Sequence, residues 1–228
     1  MDRTGSSNAG KPAPLNPRAL LLDLDGTLAN SIPALQLVYR RFLEEYGVKP
    51  SAAEFARLNG PPLPEVVRML KQVHRLLEPE ETLLGRYRAL VDESYAEVTP
   101  NAGAHKLLER AKTAGCIVGI VTSNSLCRTR DWLHRVDFIP LVDFVIAGDD
   151  VARSKPDPEP YLAAAARAGC SAGTAVAVED SLAGALSARA AGLRTFVLDS
   201  DSPPDWPEEV QVVPSLSDLA ERLWHGFV

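Results

Sequence analysis

The sequence has little cysteine, no excess of positive charge and no long apolar run. Its three cysteines, Cys116, Cys127 and Cys170, are odd in number and lack CxxC or metal-ligand spacing. They exclude a disulfide framework and read as reduced thiols of a cytoplasmic protein. With 24 Lys and Arg against 30 Asp and Glu, the formal charge is −6, and no basic cluster interrupts it. That balance excludes the electrostatic footprint of a nucleic-acid binder. No stretch reaches the roughly 18 apolar residues a membrane helix needs. Residues 1–17 lack the apolar centre of a signal peptide and read as a disordered leader.

What is present is a rhythm. Short apolar runs at 19–25, 116–124, 144–148, 174–180 and 193–199 have the length and composition of buried strands. Between them, 103–114, 157–169 and 181–191 carry apolar residues at helical spacing and end at Gly115, Gly169 and Gly192. Alternation of this kind predicts an α/β fold with a parallel, doubly wound sheet. Residues 31–98 break the rhythm: they contain no strand pattern and read as an inserted helical domain. One helix of this insert presents Leu35, Val38, Tyr39, Phe42, Leu43 and Tyr46 on one face, and a later one Leu83, Leu84, Tyr87, Leu90 and Val91. Gly60-Pro61-Pro62 separates two helices and is placed to face the core. The Pro-, Asp- and Glu-rich 200–214 reads as a surface connection to a last helix near 215–225.

The chemistry gathers at strand ends. Asp23 and Asp25 follow the first strand, with Leu24 between them and Gly26 after. In open parallel sheets ligands bind beyond the carboxyl ends of strands. Two adjacent carboxylates favour a divalent cation or a shared proton, and such a pair can divide into nucleophile and acid/base. Thr122, Ser123 and Asn124 end the second strand with hydroxyl, amide and backbone donors suited to a phosphate. Ser123 and Asn124 are open between turn chemistry and substrate contact, and Ser125 between helix cap and ligand. Lys155, fixed between a loop and a proline-started helix, is the candidate phosphate cation, with a solvated surface lysine as the alternative, whereas Arg153 reads as surface charge. Glu179 and Asp180 end a later strand, with Ser181 placed to cap the next helix. Magnesium prefers a few protein oxygens and several waters. Asp23, Asp180 and the backbone carbonyl of Asp25 would suffice, with Glu179 binding directly or through water.

Taken in order, DLDGT (23–27), Thr122, Lys155 in SKPDPEPYL and EDSLAGALSARAAG (179–192) resemble the four motifs of the haloacid dehalogenase superfamily. The helical insert after the first motif is similar to the cap of its phosphoglycolate phosphatase and β-phosphoglucomutase branch. The resemblance implies a Rossmann-like core of 18–30 and 99–228, a helical cap of 31–98 and bound Mg²⁺. It makes Asp23 the nucleophile, Asp25 the acid/base, Thr122 and Lys155 phosphate ligands, and Asp180 with Glu179 the metal pair. Arg57, Asn59 and Gly60 fall where a cap would contact substrate.

The expected activity is Mg²⁺-dependent hydrolysis of a small phosphorylated metabolite. A sugar phosphomutase is the alternative, since it needs the same core motifs. A phosphorelay receiver is disfavoured by the insert and the EDS motif, and a silent binding protein by the intact acids. The oligomeric state, monomer or dimer, is not read from the sequence.

Overall fold

The computed structural model describes residues 15–198 and 206–224. The expected leader lies outside the described residues up to 14. Its last three residues belong to the fold: Leu15 packs on the core and Asn16 N–H donates to the Leu223 carbonyl at 3.1 Å.

The chain runs β1 (Ala19–Leu22), α1 (Ile32–Glu45), α2 (Ala52–Phe55), α3 (Leu63–His74), α4 (Glu80–Tyr95), α5 (Ala104–Thr113), β2 (Ile117–Val121), α6 (Leu126–Arg135), β3 (Phe144–Ile146), α7 (Glu159–Arg167), β4 (Ala175–Glu179), α8 (Leu182–Ala190), β5 (Arg194–Leu198), β6 (Gln211–Val213) and α9 (Leu216–Leu223). The six strands form one parallel sheet in the order β3-β2-β1-β4-β5-β6. It is a Rossmann-like α/β core. Strand order reverses at β1, with β2 on one side and β4 on the other, and that reversal opens a crevice at the carboxyl edge.

Both faces of β1 are covered, which is why its sequence is uninterrupted ALLL. Leu20 and Leu22 join the large core with α5 and α6 residues such as Leu107 and Trp132. Ala19 and Leu21 face the other way, into a smaller cluster with Tyr161, Ala164 and Ala188. All four are fully buried.

The sixth strand corrects the reading of 200–214 as connection only. Three residues, two of them exposed, pair with β5 at the sheet edge. So short an edge strand buries only Val213, and no alternating pattern marks it.

The helical segment enters and leaves beside itself. Asn30 N–H donates to the Thr99 carbonyl at 2.9 Å, and the Asn101 side-chain amide donates to the Gly26 and Thr27 carbonyls at 2.8 and 2.7 Å. On α1, Val38, Tyr39, Phe42 and Leu43 are buried while Arg40, Arg41, Glu44 and Glu45 are exposed, so the helical stripe is a packing face. It meets the stripe of α4, where Phe42 and Tyr87 pack edge to face with ring centres 5.0 Å apart. Among the described residues, no helix is long and apolar enough to cross a membrane.

Candidate active site

The β1 ladder ends at Leu22, and Asp23 to Ala29 fold into a tight loop rather than extending the strand. Asp23 N–H still donates to the Val178 carbonyl at 2.9 Å, and Gly26 N–H donates to the Ala29 carbonyl at 2.9 Å. Asp23 and Asp25 nevertheless face the same cavity, and Leu24 between them is fully buried. Gly26 has φ +77, and a Cβ there would lie 1.9 Å from the Asp180 carboxylate. Only glycine lets β1 and β4 bring their acids this close.

Behind Asp23 sits Lys155, itself 3% exposed. Its three ammonium hydrogens are all committed: to Asp23 Oδ1 at 2.6 Å, Glu179 Oε1 at 2.6 Å and the Val121 carbonyl at 2.8 Å. Tyr161 donates its hydroxyl to the same Glu179 oxygen at 2.7 Å, and Ser181 to the other at 3.3 Å. Glu179 is fully buried against Gly184, where any Cβ would overlap its carboxylate at about 2.0 Å.

Asp23, Glu179 and Asp180 place one carboxylate oxygen each within 4.8 Å of one another. Three carboxylates thus gather near one ammonium, which touches Asp23 and Glu179 but not Asp180, leaving a surplus of negative charge. Burial, then the neighbouring acids, push Asp23 well above the usual carboxylate range despite the opposing Lys155. Burial, then Glu179, push Asp180 up to about 7 against its hydrogen bond from Asn59. Burial alone would lower Lys155, but Asp23 and Glu179 outweigh it and hold the ammonium above its ordinary value. All three directions make a dication, bound by hard oxygen donors, the natural complement of the cluster.

Beyond β2, Thr122 is buried and its hydroxyl accepts from Asn124 N–H at 3.1 Å. Asn124 donates its side-chain amide to Asp25 Oδ2 at 3.2 Å and to the Tyr95 hydroxyl at 3.0 Å. Tyr95 in turn donates to Asp25 Oδ1, and burial followed by the Asp25 charge raises that phenol well above its ordinary value. Ser123 Oγ donates to the Gly60 carbonyl at 2.8 Å, and Asn59 donates to Asp180 Oδ2 at 2.9 Å. Ser125 is a helix cap, accepting from Arg128 N–H at 3.4 Å, and Ser181 caps α8 through Gly184 N–H at 3.1 Å.

A cavity of about 80 Å³ lies between the sheet edge and the helical segment. Asp23, Asp25, Thr122, Ser123, Asn124 and Asp180 form its floor; Asn59 and Gly60 come from above. Arg57 is not brought here: it is solvent-exposed on a short 3₁₀ turn and is not among the lining residues. Its neighbours Phe55 and Leu58 turn inward instead, since apolar side chains gain by burial there whereas an unpaired guanidinium would lose its water.

Two tyrosines at the site were not singled out by sequence reasoning. Tyr95 continues the Leu83-Tyr87-Val91 stripe of α4, and Tyr161 opens an alanine-rich helix. A tyrosine in an apolar stripe reads as packing. The usable signal is that a buried phenol needs a hydrogen-bond partner, here Asp25 and Glu179.

A doubly wound parallel sheet with acids converging where its order reverses defines an α/β enzyme site of the Rossmann-like class. Comparisons give that class a family. A sequence description of the haloacid dehalogenase-like hydrolases matches residues 20–198. A phosphoglycolate phosphatase of Xanthomonas campestris pv. campestris (strain 8004) is 33% identical, covering 91% of this chain and 95% of its own. Hexitol phosphatase A of Escherichia coli (strain K12) is 32% identical, covering 86% and 89%. The crystal structure of CbbY from Rhodobacter sphaeroides in complex with phosphate shares the fold, with a TM-score of 0.77 at 24% identity over 89% of this chain and 96% of that one. The chain belongs to the haloacid dehalogenase-like hydrolase family. It is an enzyme, a phosphatase of that family.

Proposed function

We propose that this phosphatase hydrolyses the phosphomonoester of a small soluble metabolite in the cytoplasm, through an aspartyl-phosphate on Asp23. The observation that carries the reading is the asymmetry between its two loop acids. Asp23 has Lys155 fixed on one oxygen, whereas Asp25 is held by neutral donors, Tyr95 and Asn124. Lys155 offsets the charge that the first must carry to attack phosphorus; the second, held without a cation, is placed to exchange a proton.

In the first half-reaction an Asp23 carboxylate oxygen attacks phosphorus, the bond from phosphorus to the ester oxygen breaks, and Asp25 gives its proton to the leaving alcohol. In the second, Asp25 takes a proton from water as that water attacks phosphorus. The acyl phosphate bond breaks, releasing phosphate and restoring both carboxyls. Lys155, already bonded to Asp23, Glu179 and the Val121 carbonyl, offsets the developing charge through Asp23, while the donors of Thr122, Ser123 and Asn124 are the candidates for the equatorial phosphoryl oxygens. Asp23 and Asp180, with the Asp25 carbonyl and with Glu179 behind them, are the group that would hold Mg²⁺. When bound, the ion supplies charge neutralisation for the transferring phosphoryl group.

Residues 31–98 act as a cap over a core of 18–30 and 99–228. The Asn59 to Asp180 and Ser123 to Gly60 hydrogen bonds are its closed contacts, and closure keeps bulk water from the acyl phosphate. Purified protein offered a panel of phosphomonoesters should release inorganic phosphate, lose that activity in EDTA and regain it with Mg²⁺. An isomerised sugar phosphate without phosphate release would establish the mutase instead.

Tyr95 extends this reading to the cap. As a residue that positions Asp25, it is worth about tenfold in kcat, since one acid/base contribution is commonly 10²–10⁴-fold and only its alignment is lost. Tyr95→Phe should therefore lower kcat about tenfold with KM little changed. An unchanged kcat, or a loss that falls on KM instead, would reduce Tyr95 to packing.

A further inference from the structure

The wall that would meet the leaving group is largely apolar. Above the acidic floor the cavity is lined by Ile32, Leu35, Phe55, Leu58, Val66 and Val91, all from the helical segment. Among the described residues, its lining includes no lysine, arginine or histidine. The polar groups on that side are already used or neutral. Asn59 gives its amide to Asp180 at 2.9 Å, and the Gly60 carbonyl accepts from Ser123 at 2.8 Å. Burial raises the Tyr87 phenol, so it stays uncharged.

The floor has no spare positive charge either. Lys155 is the single ammonium, it lies behind Asp23, and its three donors are taken. One phosphoryl group and one dication would consume the remaining complementarity, leaving nothing positive for a second anion. A carboxylate or second phosphate against this wall would be stripped of water without a partner, which disfavours its binding.

The neighbouring cleft does not supply the missing charge. It has a volume of about 730 Å³ and shares Leu63, Ser123 and Asn124 with the cavity. Its arginines are Arg88, which is solvent-exposed, and Arg128 and Arg135, which are held by other groups, and none of the three lines the cavity itself. Arg128 is bonded to Asp92 at 2.6 Å, and Arg135 donates to the Tyr95 carbonyl at 2.9 Å.

We infer that the substrate is a phosphomonoester with a small, uncharged and largely apolar leaving group, and that esters carrying a second anion are rejected. The inference rests on the phosphatase reading above and narrows it.

The test compares kcat/KM of the full chain with Mg²⁺ for methyl phosphate, n-butyl phosphate, phosphoglycolate and fructose 1,6-bisphosphate. Methyl phosphate is too small to engage the wall and reports the phosphatase chemistry by itself. The expected order puts n-butyl phosphate above methyl phosphate, and above both anionic esters by about 100-fold. Turnover of methyl phosphate with phosphoglycolate or the bisphosphate equal to or above n-butyl phosphate would overturn the inference while leaving the phosphatase reading intact. No turnover of any ester would overturn both. Leu35→Arg places a cation in the wall and should move the ratio of n-butyl phosphate to phosphoglycolate at least tenfold toward the anion. A ratio that stays put in a folded Leu35→Arg protein counts against the wall as the selecting surface.

Discussion

Replacing Asp23 by asparagine is expected to abolish phosphate release, by roughly 10⁴-fold or more, as removal of a nucleophile does in enzymes that form a covalent intermediate. The amide keeps the shape of the carboxylate and still offers an oxygen to Lys155, but it does not attack phosphorus. The same change is expected to leave the fold intact. Lys155 keeps Glu179 and the Val121 carbonyl, and one of three crowded carboxylates is gone. Because burial and the other acids hold the Asp23 carboxyl well above its usual range, its charged form is disfavoured in the folded protein. Urea unfolding in chelator should therefore place Asp23→Asn within about 1 kcal/mol of the parent, or above it. An active Asp23→Asn protein would remove the nucleophile from Asp23; an unfolded one would make its carboxylate a structural necessity.

Lys155→Met should do the opposite on stability and the same on activity. The substitution strands a fully buried Glu179 and a 7%-exposed Asp23 without their shared cation. Breaking a buried ion pair from one side is destabilising by about 3–5 kcal/mol. The loss should shrink as the pH is lowered, because the stranded Asp23 carboxyl, held above its usual range by burial, takes up a proton. A second substitution separates structure from chemistry: Lys155→Met with Glu179→Gln should recover more than half of the lost stability, with Tyr161 still able to donate to the amide. It should recover none of the activity. Equal instability of the single and double variants would mean that Lys155 holds the fold by packing rather than by charge.

Much of this architecture was legible because parallel strands covered on both faces leave uninterrupted apolar runs, as ALLL and AVAV do. The interruption by helices was legible because the α1 and α4 stripes repeat at helical spacing. The edge strand Gln211–Val213 was not, since a strand exposing two of three residues leaves no pattern. At the site, the acids at the ends of β1 and β4 could be placed at one sheet edge from the strand rhythm alone. Arg57 could not be placed, because the direction of a side chain on a single short turn depends on what packs beneath it. Tyr95 escaped notice for a related reason: its partner Asp25 lies 70 residues away, and contacts of that separation follow from topology, not local pattern. The commitment of Glu179 to Lys155 and Tyr161 likewise appears only once β4, α7 and the Lys155 loop are packed together.

The most direct test is to trap the covalent intermediate. Protein quenched during a single turnover and reduced with borohydride should show Asp23, and no other carboxylate, converted to the homoserine that only an acyl phosphate yields. Protein that releases phosphate at full rate yet never carries the modification at Asp23, or carries phosphate on Ser123 instead, would contradict the account.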